Sequence, residues 1–416
     1  MDIISKSYDK TSSVTKTAKA ATLIQQFFKE KMGKFIKPIS GDINRRIETY
    51  NYLVDAIHND PTNNRYCMRL YKKNENSETI FRIGNKILLK KQIGSESVNG
   101  IVFNSTIRNK PLYRFATKVA IVTPDSEYDL AILKILSNAV LRNKCPHFPI
   151  LYVSMRCNSF MDLNESSYSS SSKSLKKESS DLLFFYPELI KDNRDKQFMF
   201  LLNELANGDL HNFIFNHLKD DNLLKNALTQ VYLSLMFYYS IAKAMHNDAH
   251  WGNFLYHKID AGGYFHYKIL GIDYYVENLG YLWVIWDYEL SINLSSKAQN
   301  YMDMDFKRII CAFYNDTHKF SGYNNELTGW VSRSYKMNEI YKKSILKLYD
   351  EMFADNINRR PIELKNSLTF ASGKFEIYIN WILQLLNKNG FILTSIKTGS
   401  KIINSTPYEI TKIAAL

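Results

Sequence analysis

Two segments carry side chains whose types and spacing suit phosphoryl transfer. Residues 245–256 read MHNDAHWGNFLY, and residues 282–288 read LWVIWDY. The first puts Asp248 and Asn253 five positions apart in a loop that follows an apolar run; the second is a hydrophobic strand that delivers Asp287. A carboxylate beside an acceptor hydroxyl can orient it and take its proton. An amide oxygen and a second carboxylate suit the hard magnesium ions that neutralise nucleotide phosphates. The expectation is a chain that binds ATP with magnesium, with Asp248 catalytic and with Asn253 and Asp287 as metal ligands. His246, beside this loop, is expected to pack and hydrogen-bond rather than to act as a base or a ligand.

These groups need elements to hold them. From residue 87 the pattern ILLKKQIGSESVNGIVF reads strand, glycine-bearing turn, strand, and LYRFATKVAIV supplies a third. Gly94, Ser95 and Gly100 are placed in that turn, where small residues let backbone N–H groups approach phosphate oxygens; a plain hairpin turn is the alternative. Lys118 falls in the third strand, where an inward ammonium needs phosphate or carboxylate partners. Leu130, Ile132, Leu133 and Leu136 recur at helical spacing, and PHFPILYVSM reads as another strand. Residues 166–180 hold nine serines in fifteen positions, too polar to pack, and predict a mobile insertion spanning about 158–195. A long helix is expected over 223–245, then the catalytic loop, an extended hairpin region and a mainly helical C-terminal half.

Composition bounds the rest. A chain of 416 residues with 45% hydrophobic and 23% charged residues has material for a large core. Cys67, Cys145, Cys157 and Cys311 lack metal-ligand spacing and read as free thiols in a reducing compartment. The polar N-terminus lacks the apolar stretch of a secretion signal. Residues 227–245 carry Thr229, Gln230, Ser234, Ser240 and Lys243, which favours a buried helix over a transmembrane segment. The net charge of +13 is scattered without a dense basic run, so no specific nucleic acid is implied.

Residues 87 to about 315 resemble the eukaryotic protein-kinase superfamily. The runs IGSESVNGIVF, ELANGDL, HNDAHWGNFL and YKILGIDYYVENLGYLWVIWD resemble serine/threonine kinases of large DNA viruses, and HWGN with DYELS resembles haspin. The resemblance implies an α+β, bilobal fold with a small antiparallel-sheet N-lobe and a mainly helical C-lobe. It divides the chain into an N-terminal appendage over 1–85, an N-lobe over 86–203 and a C-lobe over 204–416. It also implies a protein hydroxyl as acceptor and an intracellular setting, host cytoplasm or virion. By position, Asp129 or else Glu127 would be the helix carboxylate that pairs Lys118. Glu204 would open the nucleotide-binding hinge, His250 would stand where many kinases place a phosphate-contacting lysine, and Asp305 or Asp303 would anchor the loop backbone.

The departures carry meaning too. Asn247 replaces the arginine that grips a phosphorylated activation loop, so switching by loop phosphorylation is not expected. Tyr288 and Glu289 replace Phe and Gly after Asp287, which should restrict that loop. No clear APE follows, and small-molecule phosphotransferases share the H-x-D-x-H-x-G-N form, so these and a pseudokinase scaffold are the alternatives. Residues Ile24 to Lys34 resemble a degenerate IQ motif that could take a calmodulin-like partner, or dock on the catalytic domain through Ile24, Phe27 and Phe28. The oligomeric state has no signature in the sequence. Deleting residues 166–180 should leave the thermal unfolding midpoint nearly unchanged; a large drop would refute the insertion reading.

Overall fold

The strand signals between residues 87 and 121 become part of a larger sheet than the sequence predicts. The computed structural model describes residues 43–58, 68–73, 79–93, 100–157, 196–294, 303–314, 339–352 and 375–411. It is a mixed α+β fold. Seven strands, β1 (Met68–Lys73), β2 (Thr79–Ile83), β3 (Ile87–Ile93), β4 (Gly100–Ile107), β5 (Lys110–Ile121), β6 (Leu151–Cys157) and β7 (Phe198–Asn203), form one sheet in the order β1-β2-β3-β4-β5-β7-β6. Every neighbouring pair in it is antiparallel. Helix α1 (Ile43–His58) precedes β1, and α1 packs beside β6. The boundary at residue 85 therefore moves: α1, β1 and β2 belong with the sheet. Their short polar-rich strands bury alternate residues such as Met68, Phe81 and Ile83 only once β3 is alongside. The IQ-like segment, Gly94, Ser95 and the serine-rich insertion lie outside the described residues.

Helix α2 (Pro124–Leu141) starts where the sequence turns polar after β5. Thr123 caps it by accepting from Ser126 N, Thr123 N in turn donates to Ser126 Oγ, and Pro124 opens the first turn. It buries Leu130, Ile132, Leu133 and Leu136.

After β7 come β8 (Gly208–Asp209), α3 (Leu210–Asn216) and α4 (Asp221–Ala242). Helix α4 is buried continuously from Asn226 to Tyr239, as befits a helix apolar on all sides. Its polar side chains bond neighbouring backbone: Gln230 donates to Tyr281 O and accepts from Trp283 N, Asn226 donates to Glu277 O and Thr229 to Phe391 O. No described helix is long and apolar enough to cross a membrane. Around α4 lie β9 (Ala244–Met245), β10 (Phe254–Lys258), β11 (Tyr264–Ile269), β12 (Ile272–Glu277), β13 (Tyr281–Ile285) and β14 (Ile292–Asn293). Helices α5 (Asp303–Tyr314), α6 (Glu339–Met352) and α7 (Phe375–Lys388) and strand β15 (Tyr408–Ile410) follow. Cys145 is a buried free thiol, but Cys157 is disulfide-bonded, which corrects the all-thiol expectation. Pairing needs proximity in space, and spacing along the chain does not report it.

Two histidines are buried where the sheet meets this second half. His147 donates from Nδ1 to Trp283 O and accepts at Nε2 from Tyr267 Oη, while His257 lies on β10. Burial pushes both imidazoles down to about 4. Between about pH 6.5 and that value the unfolded chain takes up protons that the folded chain refuses. Stability should therefore fall as pH drops through this window, by on the order of 3 kcal/mol for each histidine. Urea midpoints at pH 7 and pH 5 test this; equal midpoints would refute it.

Candidate active site

Lys118 lies on β5 opposite Val102 and Leu201, facing inward, and its side chain is 7% exposed. Its Nζ sits 3.0 Å from Asp129 Oδ2 and 2.8 Å from Asp287 Oδ1. Burial alone would lower the Lys118 pKa, but Asp129 and then Asp287 outweigh it and hold the pKa well above the ordinary lysine value. Of the two helix carboxylates, Asp129 therefore occupies the Lys118 position. Glu127 points to the surface and pairs with Arg156 at 2.6 Å. The shorter aspartate reaches because α2 lies close against the sheet.

Asp129 does a second job: its Oδ1 accepts from Tyr288 N at 3.1 Å. The Tyr288 ring is fully buried, stacks on Tyr238 at 5.4 Å and donates its hydroxyl to Ile285 O. The segment after Asp287 is thus pinned from two sides. Asp287 itself adopts φ +62°, a left-handed conformation that aspartate tolerates better than most residues. Glu289 Oε2 approaches Lys118 to 4.0 Å, and burial raises the Glu289 carboxyl above its usual range. In the sequence Glu289 stands out only as a replacement for glycine, and nothing in its spacing places it at the lysine.

The loop with Asp248 and Asn253 reaches this cluster through backbone bonds. Trp286 N donates to Asn253 O at 2.8 Å, and His246 Nε2 donates to Trp286 O at 2.9 Å. Asp305 on α5, fully buried, accepts from His246 N at 2.9 Å, Asn247 N at 3.1 Å and Tyr239 Oη at 2.6 Å. Asn247 takes φ +60°, and Arg308 donates to its carbonyl. The loop is therefore held by α4, α5 and the end of β13, and Asp305 holds its backbone; the Asp303 side chain lies outside the described residues.

Within the loop, Asn253 Nδ2 donates to both Asp248 O and Asp248 Oδ2 at 3.0 Å. Gly252 N donates to His250 Nδ1 at 3.0 Å, so a neutral His250 ring carries its proton on Nε2, the nitrogen 3.5 Å from Asp248 Oδ2. Burial would raise the Asp248 carboxyl, but the bond from His250, the electrostatic influence of His250 and His246 and the Asn253 amide hold it below the ordinary aspartate value. His250 is therefore turned toward Asp248.

Two expected nucleotide contacts change character. Gly100 is not in the turn but opens β4, paired with Ala120; a Cβ there would lie 2.9 Å from Val119 O. Close strand approach demands that glycine. Glu204, at the end of β7, keeps its side chain 3% exposed and bonded to Arg46 of α1 and to Ile150 N. Arg46 draws the carboxylate into the interior, so its oxygens are not available to a nucleotide. The sequence gives no sign of this, because the adjacent Arg45 and Arg46 look alike on an amphipathic helix and only packing shows which is buried.

No family model and no curated protein matches the chain.

The two acids predict different sensitivities. Asp129→Asn leaves a buried ammonium with one carboxylate fewer and should cost about 3 kcal/mol, whereas Glu127→Gln, in an exposed pair, should cost under about 1 kcal/mol. Chemical denaturation of both variants tests this; equal losses would contradict the pairing.

Proposed function

We propose that this chain is an ATP- and magnesium-dependent phosphotransferase with a bilobal, protein-kinase-like fold, moving the γ-phosphoryl group to a serine or threonine hydroxyl of a protein. One observation carries the reading: Lys118 shared between Asp129 and Asp287, adjoining a loop in which Asn253 and His250 hold Asp248. Few purely structural needs place a buried lysine, two acids and a bonded Asp–Asn pair at one junction of sheet and helices.

Residue chemistry fits the roles. Asp248 is held ionised and oriented, which suits a group that accepts the proton of the attacking hydroxyl. His250, with Nδ1 fixed by Gly252 N, directs Nε2 to that carboxylate and keeps it aligned. Lys118 supplies a fixed positive charge for phosphate oxygens.

Asn253 and Asp287 suit the magnesium side of the site. The Asn253 amide nitrogen is engaged by Asp248, which leaves its carbonyl oxygen as the atom for a hard cation; Asp287 retains Oδ2 beside the oxygen that meets Lys118. Among the described residues no group of three acidic, histidine or cysteine side chains forms a ready cage. Nucleotide-bound magnesium needs only one or two protein oxygens, the phosphates and water completing its shell. Magnesium there would neutralise charge on the transferred phosphate.

A small-molecule acceptor is the second reading. It draws on the short run from Asp287 to Asp305, which is already bonded to the loop and leaves little chain for a peptide platform. Labelled phosphate appearing in metabolites rather than in protein would favour it. A pseudokinase scaffold is disfavoured by Lys118, Asp248, Asn253 and Asp287 standing together.

Asp248→Asn should keep nucleotide affinity yet lose about 10²- to 10⁴-fold in turnover, roughly 2.7 to 5.5 kcal/mol of transition-state stabilisation. Asp287→Asn should weaken magnesium-nucleotide binding as well, since a neutral amide is a poorer ligand for a hard cation. Measuring affinity and phosphotransfer side by side separates the roles, and a fully active Asp248→Asn protein would sink the mechanism.

A further inference from the structure

Arg46 stands behind the site, on a helix that sequence reasoning leaves outside the catalytic unit. It is 1% exposed, and its guanidinium makes four bonds. Nε donates to Glu204 Oε1 at 2.8 Å, Nη1 to Pro146 O at 2.7 Å, and Nη2 to Phe148 O at 2.7 Å and to Glu204 Oε2. Glu204 Oε2 also accepts from Ile150 N at 2.9 Å. The pair thus grips the segment 146–150 at three backbone atoms.

The other side of that segment grips β13. Ile285 N donates to His147 O at 3.0 Å, and His147 Nδ1 donates to Trp283 O at 2.7 Å. Ile285 stands two residues before Asp287, and Trp286 N bonds Asn253 O. Glu204 also lies 4.0 Å from His257, on the strand that begins directly after Asn253. A continuous set of bonded groups therefore runs from Arg46 to both residues assigned to magnesium. Docking an amphipathic helix needs apolar contact alone. A buried guanidinium is expensive, and its planar fork matches this carboxylate and these carbonyls in a way that lysine cannot.

We propose that Arg46 is a positioning residue for the magnesium side of the site, acting through Glu204 and the 146–150 segment on β13 and β10. The proposal rests on the phosphotransfer reading above. Removal of groups that orient metal ligands typically weakens metal affinity by about 10- to 100-fold. Arg46→Lys keeps the charge but loses the fork. The double variant R46M/E204M removes both charges together, so no ion is left buried alone.

The test uses the full chain and three readouts: the magnesium concentration for half-maximal turnover at saturating ATP, kcat at saturating magnesium, and amide hydrogen exchange. Arg46→Lys should raise the magnesium requirement about tenfold, with kcat recovered at saturating metal. Exchange should quicken in residues 146–150 and 282–287 while β1 to β4 stay protected. R46M/E204M should show the same magnesium shift with a thermal midpoint near that of the wild type. Folded variants with wild-type magnesium dependence and unchanged exchange at 282–287 would overturn the proposal. Loss of cooperative folding in both variants would overturn it too, since Arg46 would then serve the whole fold. A wild-type chain with no magnesium-dependent nucleotide binding would instead overturn the phosphotransfer reading, and this role with it.

Discussion

A single ammonium group ties the two halves of this molecule together. Lys118 comes from the sheet, Asp129 from α2 and Asp287 from the end of β13, and the lysine side chain is 7% exposed. Taking an ammonium out of water without partners costs several kcal/mol, so the conformation holds only when all three elements are in place. Asp129 extends the constraint, because its second oxygen takes the Tyr288 amide. The sheet, the helix beside it and the segment after Asp287 are thereby set by one charge and its two counter-charges.

The second half obeys the same rule with neutral groups. Helix α4 is buried on every side, so each polar side chain on it has to find a partner inside the protein. Gln230 serves β13 at both ends of its amide, and Tyr239 joins the loop backbone at Asp305. Two of the polar residues on this helix, Gln230 and Tyr239, thus align β13 and the loop carrying Asp248. Satisfied in this way, buried polar groups specify one arrangement among many that apolar packing alone would allow.

Glu204 shows how context reassigns a residue. Its place after β7 suggests a role at a nucleotide, yet Arg46 from α1 holds it in the interior, where the guanidinium outweighs burial and keeps the carboxyl below its usual range. The sheet likewise reaches back through β1 and β2 into residues that look like an appendage. These strands lie beyond β3, and their apolar residues alternate too briefly to announce a core.

Local periodicity and residue type determined much by themselves: strands β3 to β6, helix α2, the buried helix α4, the loop from His246 to Asn253 and a strand delivering Asp287. Each of these signals spans a few turns or alternations, so it is complete within its own stretch of chain. Tertiary structure decided which acid meets Lys118, why Gly100 must be glycine, where Glu289 stands and that Arg46 claims Glu204. Those outcomes depend on which surfaces come within a few ångströms once helices and strands pack, and a charge chooses its partner by distance in space. Spacing along the chain contains no such distance: Glu127 and Asp129 lie two residues apart on one helix, and only the packing of that helix puts one at the lysine and the other at the surface beside Arg156.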